Sequence, residues 1–365
     1  MIIPELPAYL TRLGGGEYKG LIISLFTLSA AISRPFSGRL ADTIGRIPVM
    51  VVGAGVCFVM GFLYPAVGSV FAFFVLRFFH GFSTGFKPTG TSAYVADVVP
   101  FHRRGEALGI MGVFGSLGIA AGPALGGWVA VAFSLNTMFY TSSFLAIMSV
   151  LILLGMTESV TVKHPFRWGL LRIPWNAVFE KRVLAPSLVM FLSAYSFGVV
   201  LTIIPDFSDS LGVANRGYFF AFFTAASIMV RLVAGKLSDR YGRVAVLRFS
   251  TIAVVGSMYL VGSAKSEQMF FLSAALLGFA AGMNSPAIFA WTIDLSDPLH
   301  RGRAMSTMYI AMETGIGLGA LVSGWQFGND MANIPLTFTT AAALAGLAFA
   351  YILVFRTGRR RQNTR

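Results

Sequence analysis

Charge is scarce in this chain. Only 12% of its 365 residues are Asp, Glu, Lys or Arg, against about a quarter in soluble domains, so a water-facing surface of this size cannot be dressed. Cysteine is nearly absent: Cys57 stands alone and cannot close an internal disulfide. Four scattered histidines show no zinc-ligand spacing, and there is no phosphate-binding loop and no Gly-x-Ser-x-Gly. No metal, cofactor or enzymatic site is expected. Acids are fewer than bases, 15 against 28, giving a net charge of +13. A nucleic-acid partner would need those bases on one solvated face, whereas here they fall in short loops between apolar runs. What the chain has in quantity is apolar bulk: 56% hydrophobic residues, 34 Phe and 40 Gly, with a mean hydropathy of +0.73. These features predict an all-α polytopic membrane protein, its main partner the lipid bilayer.

A bilayer core about 30 Å thick takes roughly 20 apolar residues per helix. The sequence supplies eleven such runs, at 18–41, 48–68, 71–96, 104–131, 136–156, 183–205, 217–238, 244–263, 267–293, 301–327 and 334–355. Residues 1–10 are apolar but too short to span, and lack the basic region and cleavage site of a signal peptide. They read as the outer end of a first helix whose beginning is missing, so twelve helices are implied. Of the 28 Lys and Arg, twenty lie in one set of alternate loops and the tail. Four lie in the opposite set (Arg12, Lys19, Arg216, Lys265) and four inside spans (Arg34, Arg77, Lys87, Arg231). Basic loops stay in the cytoplasm, so the positive charge is a topology signal, with the C-terminus inside.

The chain also repeats itself. A shift of 197 carries Arg34 onto Arg231, Gly38 onto Gly235, Asp42 onto Asp239, Gly45 onto Gly242 and Arg46 onto Arg243. It continues through Gly81/Gly278, Asp97/Asp294, Arg104/Arg301, Gly118/Gly315 and Trp128/Trp325. Asp, Arg and Trp in register with the glycines exclude a composition effect. The expected organisation is a first six-helix half, 1–156, a linker, 157–182, a second half, 183–355, and a basic tail, 356–365. Parallel repeats of this kind build transporters.

Gly38-Arg39-Leu40-Ala41-Asp42-Thr43-Ile44-Gly45-Arg46, and its copy Gly235-Lys236-Leu237-Ser238-Asp239-Arg240-Tyr241-Gly242-Arg243, resemble the loop motif of the major facilitator superfamily. Leu76-Arg77-Phe78-Phe79-His80-Gly81 resembles that family's second motif. Gly109, Gly118 and Gly122-Pro123-Ala124-Leu125-Gly126-Gly127 resemble the helix-five motif of its antiporter branches. The first loop departs from the pattern at Thr43, Ile47 and Pro48, where bases are usual. The resemblance covers essentially the whole chain. It implies two halves that rock about a central site. It also implies a latch on the basic face, with Asp42 at the start of helix eleven and Asp239 at the start of helix five. Arg46 would reach Asp97, and Arg243 would reach Asp294.

A polar face is legible without any family. Arg77, His80, Thr84, Lys87, Thr91 and Tyr94 recur every three or four residues, one side of a helix. On the equivalent face of the second half only Asn284 is strongly polar. Most acids sit at helix ends or in loops. Glu5 lies on the first-helix remnant, and Glu313 about eleven residues into its helix, near the midplane. A carboxylate there is expected to be paired or protonated. The expected core is therefore Lys87 with Glu313, supported by Arg77, whereas Arg34 and Arg231 read as structural cations near the cytoplasmic interface. The function expected is secondary active transport by alternating access: proton-coupled efflux of a small organic solute, either a sugar-like metabolite, an organic acid or a drug. The alternatives are proton-coupled uptake and a non-transporting receptor or scaffold. A monomer in a bacterial inner membrane is expected, without nucleic acid.

Overall fold

The computed structural model describes residues 1–2, 5–15, 18, 21–172, 178–213, 217–328 and 330–354, apart from the side chains of residues 7, 8, 120, 123, 124, 205, 209 and 232. The expected tail, 356–365, and the Pro123 side chain lie outside the described residues, as do Lys19 and Arg216.

Twelve α-helices follow one another among the described residues: α1 (Leu6–Arg12), α2 (Leu21–Thr43), α3 (Arg46–Leu63), α4 (Val70–Val98), α5 (Arg104–Ala132), α6 (Leu135–Leu154), α7 (Leu184–Ser210), α8 (Gly217–Tyr241), α9 (Arg243–Gly262), α10 (Glu267–Leu295), α11 (Arg301–Phe327) and α12 (Ile334–Val354). No strand occurs among the described residues. Among the described residues, eight helices are long and apolar enough to cross a bilayer, and α8, bent by 46° near Arg231, makes nine. The 29-residue α4 carries Arg77, His80 and Lys87, whose polarity is offset by partners inside the bundle.

Local chemistry sets the helix ends. Ser69, Ser134 and Ser266 cap α4, α6 and α10, their hydroxyls accepting from the N–H of Ala72 (3.2 Å), Thr137 (3.0 Å) and Met269 (3.3 Å). Gly45 (φ +125°) and Gly242 (φ +90°) occupy backbone conformations that side chains disfavour, and turn the chain from α2 into α3 and from α8 into α9.

Small residues let the helices close on one another. A Cβ on Gly85 of α4 would lie 2.9 Å from the Ala30 carbonyl of α2, and one on Gly282 of α10 would lie 2.7 Å from the Ser227 carbonyl of α8. One buried apolar cluster joins Leu6 and Leu10 to Tyr64, Phe73 and Phe139 in the first half. Two more occupy the second half, one around Phe207, Phe270 and Phe338, the other around Leu247, Trp291 and Met305. The halves meet where α2 packs on α11 and where α5 packs on α8, pairings that the 197-residue shift exchanges. Trp128 and Trp325, equivalent under that shift, are 61% and 84% exposed, as suits residues at a membrane boundary.

Candidate functional site

At the basic end, Asp42 accepts backbone N–H bonds from Gly302 (2.6 Å) and Arg303 (2.9 Å) at the start of α11. Asp239 accepts the matching pair from Gly105 (3.0 Å) and Glu106 (2.9 Å) of α5. Each carboxylate thus sits on the positive end of a helix from the other half. Arg46 donates to Asp42 and, at 3.0 Å, to Asp97; Arg243 donates to Asp239 and, at 2.8 Å, to Asp294. Asp97 also pairs with Arg301 across the halves, and Asp294 lies 3.5 Å from Arg104. Gly38 and Gly235 stand at the two crossings: a Cβ would lie 2.7 Å from Ser306 Cβ at Gly38, and 2.7 Å from Glu106 Cα at Gly235. The basic face is latched shut at both crossings.

Two linker acids, Glu158 and Glu180, complete this layer. Glu158 accepts from the N–H of Arg46 and of Ile47, both at 3.0 Å, capping α3. Glu180 accepts from Arg303 Nε at 3.1 Å. Their position beside basic loops was visible in the sequence, but nothing in their spacing pointed to a capping role.

Deeper between the halves, the arrangement departs from expectation. Glu313 is buried, and its partner is Arg34, with Nη2 2.9 Å from Oε1. Arg34 is fully buried rather than reaching toward water. Its Nη1 donates to Thr89 Oγ1 at 3.0 Å, and its guanidinium stacks 4.2 Å above the Tyr309 ring. Tyr309 in turn shares a 2.9 Å hydrogen bond with Ser92. The cluster therefore joins α2 and α4 of the first half to α11 of the second. Among the described residues Arg231, equivalent to Arg34, has no such acid; its Nε donates to Ser227 at 3.1 Å within α8.

Lys87 is not brought to Glu313. Its Nζ donates to Ser149 of α6 at 2.7 Å, at the wall of a cavity of about 750 Å³. Cys57, Ser83, Thr84 and Gly118 also line this cavity. The rest of the α4 polar face divides among its neighbours. Arg77 donates to the Ile22 carbonyl at 2.8 Å and stacks on Phe26 at 4.2 Å, while His80 lies 3.4 Å from the Tyr64 hydroxyl. Thr91 donates to the Lys87 carbonyl and to Met50 Sδ, and Tyr94 to the Thr157 carbonyl. Asn284 faces α9, where Ser250 donates to it at 3.3 Å. The helical period placed these groups on one face correctly, but neighbouring helices cover that face at different heights.

Among known sequences, the model of the Major Facilitator Superfamily matches residues 1–214 and 186–365. The chain belongs to that family. This member is 25% identical over 371 positions to multidrug resistance protein 1 of Bacillus subtilis, covering 95% of this chain and 90% of the relative. It is 27% identical over 385 positions to the multi-drug resistance efflux pump PmrA of Streptococcus pneumoniae, covering 98% and 92%. The solved proton:xylose symporter XylE shares its fold, with a TM-score of 0.82 at 14% identity over 97% of this chain and 91% of that one. This superfamily chain is a transporter and not an enzyme.

The helix-five glycines of this superfamily member serve different contacts. A Cβ on Gly109 would lie 2.9 Å from the Arg231 carbonyl of α8, and one on Gly122 3.1 Å from the Met1 nitrogen. Gly126 also faces Met1, and Glu5 Oε1 lies 3.8 Å from a Cβ built on Gly127. Gly118 has open space beside it, on the Lys87 cavity.

Proposed function

We propose that this protein is a proton-coupled exporter of small organic solutes. It alternates between two latched states as the halves, 1–156 and 183–355, rock about α2–α11 and α5–α8. The observation that carries this reading is the buried Arg34–Glu313 pair, which spans the two halves at 2.9 Å. With the basic face closed, the ionised Glu313 holds α11 against α2. A proton arriving from the opposite face neutralises the carboxylate and removes the attraction, so the halves part on the basic side. Release of that proton there allows the pair to re-form after solute has bound. One proton moves inward as solute moves outward.

The 1–156 and 183–355 bodies are joined by the linker 157–182, with the tail 356–365 on the same side as the basic loops. By the Lys and Arg asymmetry that side is the cytoplasm of a bacterial inner membrane. The chain works as a monomer, with solute and protons as partners and without nucleic acid.

Lys87 is the intramembrane cation that faces the open cavity, so the reading favours anionic or zwitterionic amphiphiles. The multidrug relatives support export. The test is flux in proteoliposomes under an imposed pH gradient, with norfloxacin (zwitterionic), fluorescein (anionic) and ethidium (cationic) as probes. Counter-movement of protons with norfloxacin or fluorescein is expected. Movement of ethidium alone would overturn the solute class, co-movement of solute and proton would make the protein an uptake symporter, and flux of none would overturn transport of such solutes.

A further inference from the structure

On the membrane-facing side of the second half, α8, α9 and α10 leave an apolar groove of about 900 Å³. Val233, Tyr241, Phe249, Leu272 and Phe279 are among its walls. All five are exposed in the protein alone. From the basic end, the groove runs along α8 from Tyr241 to Ala226, about 22 Å at 1.5 Å per residue. That is more than half of a hydrocarbon core about 30 Å thick, deep enough for one acyl chain.

The internal repeat shows what such a cleft requires. Its counterpart in the first half lies between α2, α3 and α4, where Leu40, Val49 and Phe82 stand at the positions of Leu237, Val246 and Phe279. There the cleft is filled. Phe82 and Phe86 stack at 6.5 Å, and Leu170 and Leu171 of the linker, with Phe36 and Ile44, pack onto the buried cluster of Leu40, Ala41, Val49 and Phe86. Arg39 holds that linker segment by donating to the Arg172 carbonyl at 2.7 Å. In the second half, Phe36 and Phe86 give way to the slimmer Val233 and Met283, and no linker leucines cover the groove.

The rims differ as well. Thr43 and Val51 of the first half are replaced by Arg240 and Arg248. Arg240 lies in the last turn of α8 and stacks 5.5 Å from the Tyr241 ring at the groove's basic end. Arg248 lies on α9, next to groove residue Phe249 and about one helical turn from Ala245. Both are exposed, and neither has a salt bridge among the described residues.

We propose that this groove is a binding site for an anionic phospholipid of the leaflet on the basic side. One acyl chain takes the place that Leu170, Leu171 and the larger phenylalanines fill in the first half. The phosphate-bearing headgroup sits between Arg240 and Arg248. The lipid thereby wedges α8, α9 and α10 beside the Asp239 latch.

Native mass spectrometry of the delipidated full chain, titrated with phosphatidylglycerol and with phosphatidylcholine, tests this. The wild type should retain phosphatidylglycerol preferentially. Arg240→Ala with Arg248→Ala should weaken its binding about fivefold for each cation removed, leaving phosphatidylcholine unchanged. Groove-filling Ala275→Trp, and independently Ala245→Phe should the first fail to fold, should abolish the preference. Lys163→Ala with Lys181→Ala, on the linker, should change nothing. Equal binding of the two lipids by the wild type, undiminished phosphatidylglycerol binding in the groove variants, or an equal loss in the linker pair would overturn the proposal.

Discussion

Arg34 of α2 and Glu313 of α11, 279 positions apart, lie 2.9 Å from each other in the interior of the protein. The pair is buried on both sides, so each charge depends on the other. Removing one partner leaves the other charge stranded, at about 3–5 kcal/mol. Replacing both by apolar side chains of similar size is close to neutral.

Arg34→Met and Glu313→Leu should therefore each lower the melting temperature strongly, while the double variant recovers most of the loss. The double variant should fold and yet fail to transport against a pH gradient. Thermal unfolding in detergent, paired with proteoliposome flux, reads both. A double variant that still transports uphill would remove the pair from coupling.

Arg34→Lys and Arg231→Lys should part company. Lysine cannot serve Glu313, Thr89 and the Tyr309 ring as a planar guanidinium does, so flux in Arg34→Lys should fall by about tenfold or more, equivalent to at least about 1.4 kcal/mol. Arg231, whose Nε donates to Ser227, should tolerate the change with most flux intact. Equal effects at equal expression would contradict the assignment.

Asp42→Asn and Asp239→Asn each remove a charge from a helix N-terminus together with one of two acceptor oxygens, a loss of about 1–2 kcal/mol per latch. The basic face should open more often. Spin labels at Arg103 and Lys236, placed in a Cys57→Ser background, should report a longer distance population in Asp239→Asn. An unchanged distribution would mean that the latch does not hold this face closed.

Gly109 and Gly118 belong to one sequence motif but face different surroundings. Gly109→Ala presses on the Arg231 carbonyl and should destabilise by about 1–3 kcal/mol as an overpacked contact. Gly118→Ala meets nothing within 4 Å and should melt like the wild type. The two melting curves decide it.

Cys57 and Lys87 line the same cavity, and Cys57 is the chain's sole cysteine. A transported anion or zwitterion should slow maleimide labelling of Cys57, and Lys87→Ala should abolish that protection, read in each variant as the ratio of labelling rates with and without solute. Protection that survives Lys87→Ala would place the solute elsewhere.

The sequence by itself determined the helices, their order and the doubled plan, because these follow from local quantities. Apolar run length sets a span, glycine and aspartate at fixed offsets set a turn, and a constant shift of 197 relates the copies. The partners of Asp42, Asp97, Asp239 and Asp294 were expected from the resemblance to the major facilitator superfamily, whose loop motif the sequence carries twice. Tertiary structure alone decided which buried cation meets Glu313. Helical period puts Lys87 and Arg77 on a polar face, but the crossing of α2 with α11 delivers Arg34 instead. The repeat was no guide here. The residue equivalent to Glu313 is Ser116, so among the described residues one copy of the arginine is charge-paired and the other is not. A charge inside a bilayer takes the partner that helix packing brings within reach, and packing depends on both surfaces at once.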